Sequence, residues 1–269
     1  MAARHLAQNP GSNAVKVPGT QAIGRALAVL NEFREARVDL AIVQIAENLG
    51  LAVSTAHRIV RVLMSEGYLA QSDDNERYYL GTGAMLLGQA AQRNLGFDLV
   101  RQMLHTLRDE TGESVNLGII DRERAMVVER VESPQQLRFS QPVGTRILLH
   151  VSSIGKSLLA FSADLETQLS NLSPVLVQLT PNTHTSLASL RADLAEIRLR
   201  GWSTDDEESV LGVRCVGAPI TDASGHARAA IAVQAPAVRM PESRFAELGP
   251  QVAVVAKQIS ELLPPGHRF

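Results

Sequence analysis

Ser54, Thr55, His57, Arg58 and Arg61 fall within one eight-residue stretch and together could hold a polyanion. An arginine fork pairs bidentately with phosphate oxygens or with a guanine edge. Hydroxyl and imidazole groups at a helix start add contacts to phosphates or bases. The opposite side of the same stretch carries Ala56, Ile59, Val60 and Leu63, spaced i, i+3, i+4, i+7 like the buried stripe of an amphipathic helix. A helix buried on one side and basic on the other can fill a major groove. Arg25 upstream and Arg77 downstream are further candidate phosphate contacts. Many arginine faces are merely solvated, so the inference rests on the order of the surrounding elements.

Three other groupings could do chemistry. Gly155-Lys156-Ser157 has the ending of a phosphate-binding loop, but His150 stands where the first glycine belongs. GKSLLA therefore reads as a helix start. Cys215 could be a nucleophile with His150 or His226 as base, yet a lone cysteine in an apolar strand reads as an inert buried thiol. Asp205 to Glu208 form an acidic run without the histidine spacing of a metal site. No metal, cofactor or enzymatic activity is expected.

The basic helix needs elements to position it. A helix is predicted over Gln21–Glu35, with Ile23, Leu27, Leu30 and Phe33 on its inner side. A shorter one over Leu40–Asn48 turns Ile42, Ile45 and Ala46 inward. Gly50 sits where that helix must stop, since glycine takes positive φ without a Cβ clash. Ser54 or Thr55 is expected to cap the basic helix. After Gly67, YLAQSDDNERYYLG reads as a β-hairpin wing that carries Arg77. The set is a winged helix-turn-helix over residues 20–81, preceded by a mobile tail over 1–19. Thr82–Leu95 predicts a linker helix (82–96) whose Met85, Leu86 and Leu87 offer apolar surface to a dimer contact.

From residue 97 to 269 the pattern mixes helix and strand. A helix over Asp98–Glu110 ends at Gly112, and SVNLGII, RAMVVERV and LRFSQPV read as strands. Helices follow over Ile154–Phe161, Asp164–Leu172 and Leu187–Arg200. Then come strands WSTDDEES, VRCVGAPIT and ARAAIAVQA, the last two joined by a turn at Asp222–Gly225, and a closing helix over Glu242–Leu263. Hairpins with segregated helices argue for an α+β domain with an antiparallel sheet.

Composition agrees. The 269 residues are 45% apolar and 4% aromatic, enough for aliphatic cores in two modest domains. Net charge is −2, so no chain-wide basic field exists. Between Met1 and Ser65, however, seven basic side chains face four acidic ones. Affinity for DNA must then come from a few placed contacts, doubled by self-association. One cysteine permits no intrachain disulfide and suits a reducing cytoplasm. Neither a signal peptide nor an apolar run near the spanning length is present.

The blocks RALAVL, IAENLGLAVSTAHRIVRVLMSEGYL, RYYLG, ETGESVNLG, VGTRILLHVSSIGKSLLA and RGWSTDDEESVLGVRCVGAPITDASG resemble the IclR family of bacterial transcriptional regulators, from Gln21 to about Leu263. The resemblance implies a winged helix on palindromic double-stranded operator DNA and a C-terminal GAF/PAS-like domain for a small organic acid. It also implies assembly as a dimer or a dimer of dimers, cytoplasmic and off the membrane. Two positions depart from the family pattern: Val53 stands where a basic residue is frequent, and Thr221 where an aromatic or histidine is usual.

The family's effector-pocket positions, carried over singly, fall on Leu137, Phe139, Ser153, Ile154, Asp205, Val213, Cys215, Ala232 and Gln234. Ile154 replaces a smaller residue, and Ala232 and Gln234 replace small hydroxyl residues. Phe139 and Ile154 add apolar surface, which favours a carboxylate with an apolar or aromatic portion. A repressor of a catabolic operon is the expectation. A constitutive DNA binder with a vestigial pocket, or a metabolite-binding enzyme, is the alternative.

Overall fold

The computed structural model describes residues 20–36, 38–94 and 97–262. The expected tail over 1–19 and the end of the expected linker helix, 95–96, lie outside them. The chain forms two compact units that divide after Ala91, within the helix expected to link them.

The first unit contains α1 (Gln21–Glu35), α2 (Ile42–Asn48), α3 (Val53–Ser65), β1 (Leu69–Gln71), β2 (Tyr78–Leu80) and most of α4 (Thr82–Asn94). Its core is Val29, Phe33, Leu40, Ile45, Ala46, Ala56, Val60, Leu63, Leu69 and Tyr78. Burial of such side chains contributes roughly 1.5–3 kcal/mol each. α1 keeps its predicted limits but turns differently: Val29 and Phe33 are buried while Ile23 and Leu27 stay exposed. Gly50, at φ 61°, ends α2 and lets Leu51 N–H return to Ala46 O at 2.8 Å. The predicted cap of α3 is corrected. Ala52 occupies the N-cap with no side-chain hydrogen bond, so Ser54 and Thr55 lie inside the first turn. β1 and β2 pair antiparallel, Leu69 opposite Leu80. On α4, Met85, Leu86 and Leu87 are all exposed.

The second unit carries α5 (Phe97–Thr111), β3 (Ser114–Asp121), β4 (Arg124–Val131), β5 (Arg146–Leu148), α6 (Ser153–Ala160), α7 (Leu165–Ser170) and α8 (Leu187–Arg200). β6 (Ser203–Asp206), β7 (Val213–Thr221), β8 (Ala227–Pro236) and α9 (Glu242–Leu262) complete it. The strands form one sheet in the order β5-β4-β3-β8-β7-β6, antiparallel throughout. Alternation along the strands splits the apolar side chains into two cores. Val115, Leu117, Val216, Ile231 and Val233 meet α5 and α9 on one face. Ala125, Ala230 and Ala232 meet α6 and α8 on the other.

One predicted strand is absent. LRFSQPV (residues 137–143) is irregular, and Arg146–Leu148 pairs with β4 instead. A β-bulge between Leu117 and Gly118 shifts the β3–β4 register. Asn116 then pairs with Arg130 and Gly118 with Val127, which brings Arg130 onto the α6 face. No helix among the described residues is long and apolar enough to cross a membrane.

Candidate functional site

In the first unit, Arg25 from α1 and Thr55, Arg58 and Arg61 from α3 line one open groove of about 700 Å³. Ser54, His57, Arg58 and Arg61 are exposed, and Thr55 is half-buried. This is the side of α3 opposite Ala56, Val60 and Leu63, all in the core. Three guanidinium-bearing side chains and a hydroxyl at the helix start thus share one groove, which Ala22, Ile59 and Val62 also line. Arg77 is held differently. Its Nη1 donates to Asp39 O at 2.9 Å and Gln44 Oε1 at 3.5 Å, which ties the wing to the start of α2.

In the second unit the α6 face of the sheet carries a buried polar set. Asp205 pairs with Cys215 and Cys215 with Gln234 across β6, β7 and β8. Gln234 pairs with Ser114, and Asn116 with both Ala232 and Arg130, across β8, β3 and β4. Ser153 caps this face from the first residue of α6. It and Asp205 are 1% exposed. Of the nine predicted positions, Ser153, Asp205, Val213, Cys215, Ala232 and Gln234 are buried on this face or against it. Phe139 is half-buried. Leu137 is 62% exposed, and its carbonyl accepts from Arg239 Nη1 at 2.8 Å. Ile154 packs against β3. It sits so close to Gly118 that a Cβ there would lie 2.7 Å from Ile154 Cγ2.

Sequence reasoning missed Arg130, Asn116 and Ser114. Arg130 Nη1 donates to Asn116 Oδ1 at 2.9 Å and Gln234 Oε1 at 3.1 Å, and Nη2 to Ser114 Oγ at 3.3 Å. Nη2 also donates to the Phe139 carbonyl. Asn116 Nδ2 donates to Gln234 Oε1 at 3.3 Å, and Gln234 Nε2 to Gln141 Oε1 at 3.4 Å. A basic residue at an inward strand position was the available signal, but the bulge hid which way it points.

At the other end of the set, Asp205 Oδ1 accepts from Glu208 N–H at 2.7 Å and Oδ2 from Ser209 Oγ at 2.6 Å. Burial, opposed by the Ser209 hydrogen bond, pushes its carboxyl up to about 7. Burial likewise pushes the Cys215 thiol well up, helped by the neighbouring Asp205 charge. The thiol therefore stays protonated and is no nucleophile. His150 spends Nε2 on the Val177 carbonyl at 3.0 Å.

Gly155-Lys156-Ser157 is structural. Ser152 Oγ accepts from Gly155 N–H at 3.0 Å, and a Cβ on Gly155 would meet Leu149 O at 2.3 Å. Lys156, 1% exposed, donates to Glu208 Oε1 at 2.6 Å and Asp193 Oδ2 at 2.7 Å. His184 Nε2 lies 3.3 Å from Asp193 Oδ2. Burial raises the Asp193 carboxyl, but the His184 hydrogen bond and the Lys156 charge outweigh it and hold it at about 2. His184, Asp193 and Glu208 have metal-ligand chemistry within 4.8 Å, and the Lys156 ammonium is shared between the two carboxylates.

Two family models together account for nearly the whole folded chain. The helix-turn-helix domain of IclR matches residues 22–73, and the C-terminal domain of the bacterial transcriptional regulator IclR matches 92–261. The chain belongs to the IclR family. Within that family it is 34% identical to the HTH-type transcriptional regulator BhcR of Paracoccus denitrificans over 248 residues, covering 92% of this chain and 88% of that protein. It is 32% identical to the acetate operon repressor of Salmonella typhimurium over 262 residues, 94% of each. An IclR homolog of Microbacterium hydrocarbonoxydans, solved in complex with 4-hydroxybenzoate, shares the fold with a TM-score of 0.77 at 23% identity. That match covers 90% of this chain and all of the other. The α+β architecture with a helix-turn-helix unit is thus the IclR architecture.

Proposed function

We propose that this IclR-family regulator is a repressor whose operator binding is set by a small organic acid. Its first unit reads double-stranded DNA through Ser54, Thr55, His57, Arg58 and Arg61 of α3. Arg25 contacts phosphate from α1, and Arg77 reaches the backbone from the wing. The observation that carries this is the single groove shared by Arg25, Thr55, Arg58 and Arg61. Self-association through surfaces such as the exposed Met85–Leu87 run would present two such units to a palindrome. The repressor assignment is supported by the acetate operon repressor, similar over 94% of its length.

The acid binds on the α6 face of the second sheet, between Ser153, Asp205, Cys215 and Gln234, with Val213, Ala232, Ile154, Phe139 and Leu137 around them. It acts by population shift: the acid favours one state of the protein, and operator affinity follows that state. That this fold can hold an aromatic acid is supported by the 4-hydroxybenzoate complex of its Microbacterium counterpart.

Fluorescence anisotropy with DNA flanking the gene, in moderate salt with nonspecific competitor, tests the reading. Competitor-resistant binding that is lost in Arg58→Ala/Arg61→Ala is expected. Binding that is fully competed on every flanking segment would overturn it. Binding that no acid alters would leave a constitutive DNA binder.

A further inference from the structure

Arg130 is buried among acceptors that are mostly neutral, with one carboxylate, Glu132, in ion-pair range. Its side chain is 4% exposed. Four of its hydrogen-bond acceptors are the uncharged oxygens of Asn116, Gln234, Ser114 and Phe139. Its Nε is buried with no hydrogen-bond partner. One carboxylate, Glu132, forms an ion pair with Nε at 3.7 Å, longer than a hydrogen bond, and is shared with Arg138 at 3.2 Å. Other cations of this unit are placed otherwise. Lys156 touches two carboxylates, and Arg239 grips both oxygens of Glu113 at 2.6 Å. A guanidinium taken out of water without a bonded carboxylate costs free energy that a matching anion would recover. Burial lowers its pKa, and the Glu132 charge offsets this only in part.

We propose that Arg130 is the carboxylate anchor of the effector site, and that the Phe139 carbonyl holds the place an acid's oxygen takes. The proposal rests on the effector-site reading above. An incoming carboxylate gains a planar fork, with Nε and Nη2 as its two donors. Asn116 and Gln234 keep the guanidinium fixed through Nη1 while Nη2 changes partner. The group displaced is the backbone of residues 137–143, so binding moves that segment as well as filling the site. The ligand class is a small acid with a single carboxylate, since Arg130 offers one fork and the remaining partners are neutral. A neutral amide of the same shape lacks the charge that Arg130 needs.

The test uses calorimetry on the full chain with acetate, pyruvate, benzoate and 4-hydroxybenzoate, each against its primary amide, on wild type, Arg130→Lys and Arg130→Gln. At least one acid is expected to bind, its amide about ten-fold more weakly or worse. Arg130→Gln should lose about thirty-fold or more, and Arg130→Lys should recover part of that. Cooperative unfolding followed at Trp202 shows that the variants fold. If Arg130→Gln does not fold, Arg130→Lys and the acid–amide contrast decide. The proposal is overturned if acid and amide bind alike, if folded Arg130→Gln keeps the acid, or if none of the four acids binds at millimolar concentration. An acid that binds through Arg130 but leaves operator affinity unchanged would instead remove the regulatory reading and keep the anchor.

Discussion

Arg130 and Gln234 lie on strands that never pair, β4 and β8, yet Arg130 Nη1 donates to Gln234 Oε1 at 3.1 Å across the intervening β3. Asn116 of β3 joins both. Three strands are thus tied by side chains on the face where α6 begins, and a ligand that moves any one of the three groups is felt by the other two.

The basic groove separates two kinds of contact. Arg58→Ala should cost roughly 1–3 kcal/mol and relax sequence preference, whereas Arg25→Ala should weaken all sequences alike and reduce the salt slope by about one. Anisotropy titrations over a range of salt, on operator and scrambled DNA, read both quantities. Equal losses on the two DNAs for Arg58→Ala would remove its base-reading role.

Asp205 gives the second unit a pH dependence. Its carboxyl titrates near 7 when folded, against an ordinary value of 3.8. Between those values the folded chain holds a proton that the unfolded chain has released. Stability from this group is therefore full below about pH 4 and is lost as pH rises through 7. Urea unfolding at pH 5 and pH 8 should show wild type losing stability relative to Asp205→Asn, on the order of a kcal/mol or more. Parallel behaviour of the two proteins would show that Asp205 is already ionised at pH 5.

Lys156 is the resident cation of a buried triad. Removing it as Lys156→Met leaves Glu208, with Oε2 already lacking a hydrogen-bond partner, facing Asp193 without compensation. A loss of about 3–5 kcal/mol is expected, measurable by denaturant unfolding. Adding Glu208→Gln should recover part of it, because one buried charge then disappears with its partner.

Gly249 in α9 lies under the only tryptophan. A Cβ there would sit 2.3 Å from the Trp202 ring, so Gly249→Ala should destabilise by about 1–3 kcal/mol through overpacking and shift Trp202 emission. An unchanged melting temperature would mean that the ring moves aside freely.

Much of this was legible in the sequence because the local signals were redundant. α1, α8, β4 and β7 have their predicted limits, each set by apolar periodicity between clear turn residues. The exposed basic face of α3 followed from the i, i+3, i+4, i+7 stripe, since the groups opposite a buried stripe are exposed. Two features resisted. The alternation Leu137, Phe139, Gln141 imitates a strand, but that segment turns the Phe139 carbonyl to Arg130, and β4 pairs with Arg146–Leu148 instead. The bulge at Leu117/Gly118 leaves no mark in residue type, yet it decides which face Arg130 joins. A helix cap was also misplaced: Ser54 and Thr55 have the chemistry of caps, but the chain enters α3 at Ala52.

The cluster around Arg130 joins Ser114 and Asn116 to Gln234, well over a hundred positions later. A ribosome-bound chain that has not yet delivered β8 lacks the central acceptor and has only part of this polar set. Closing a loop this long carries an entropy cost that grows with its length. The cluster is therefore a test of progress along the chain: only a molecule made past Pro236, with β8 inserted between β3 and β7, possesses it at all.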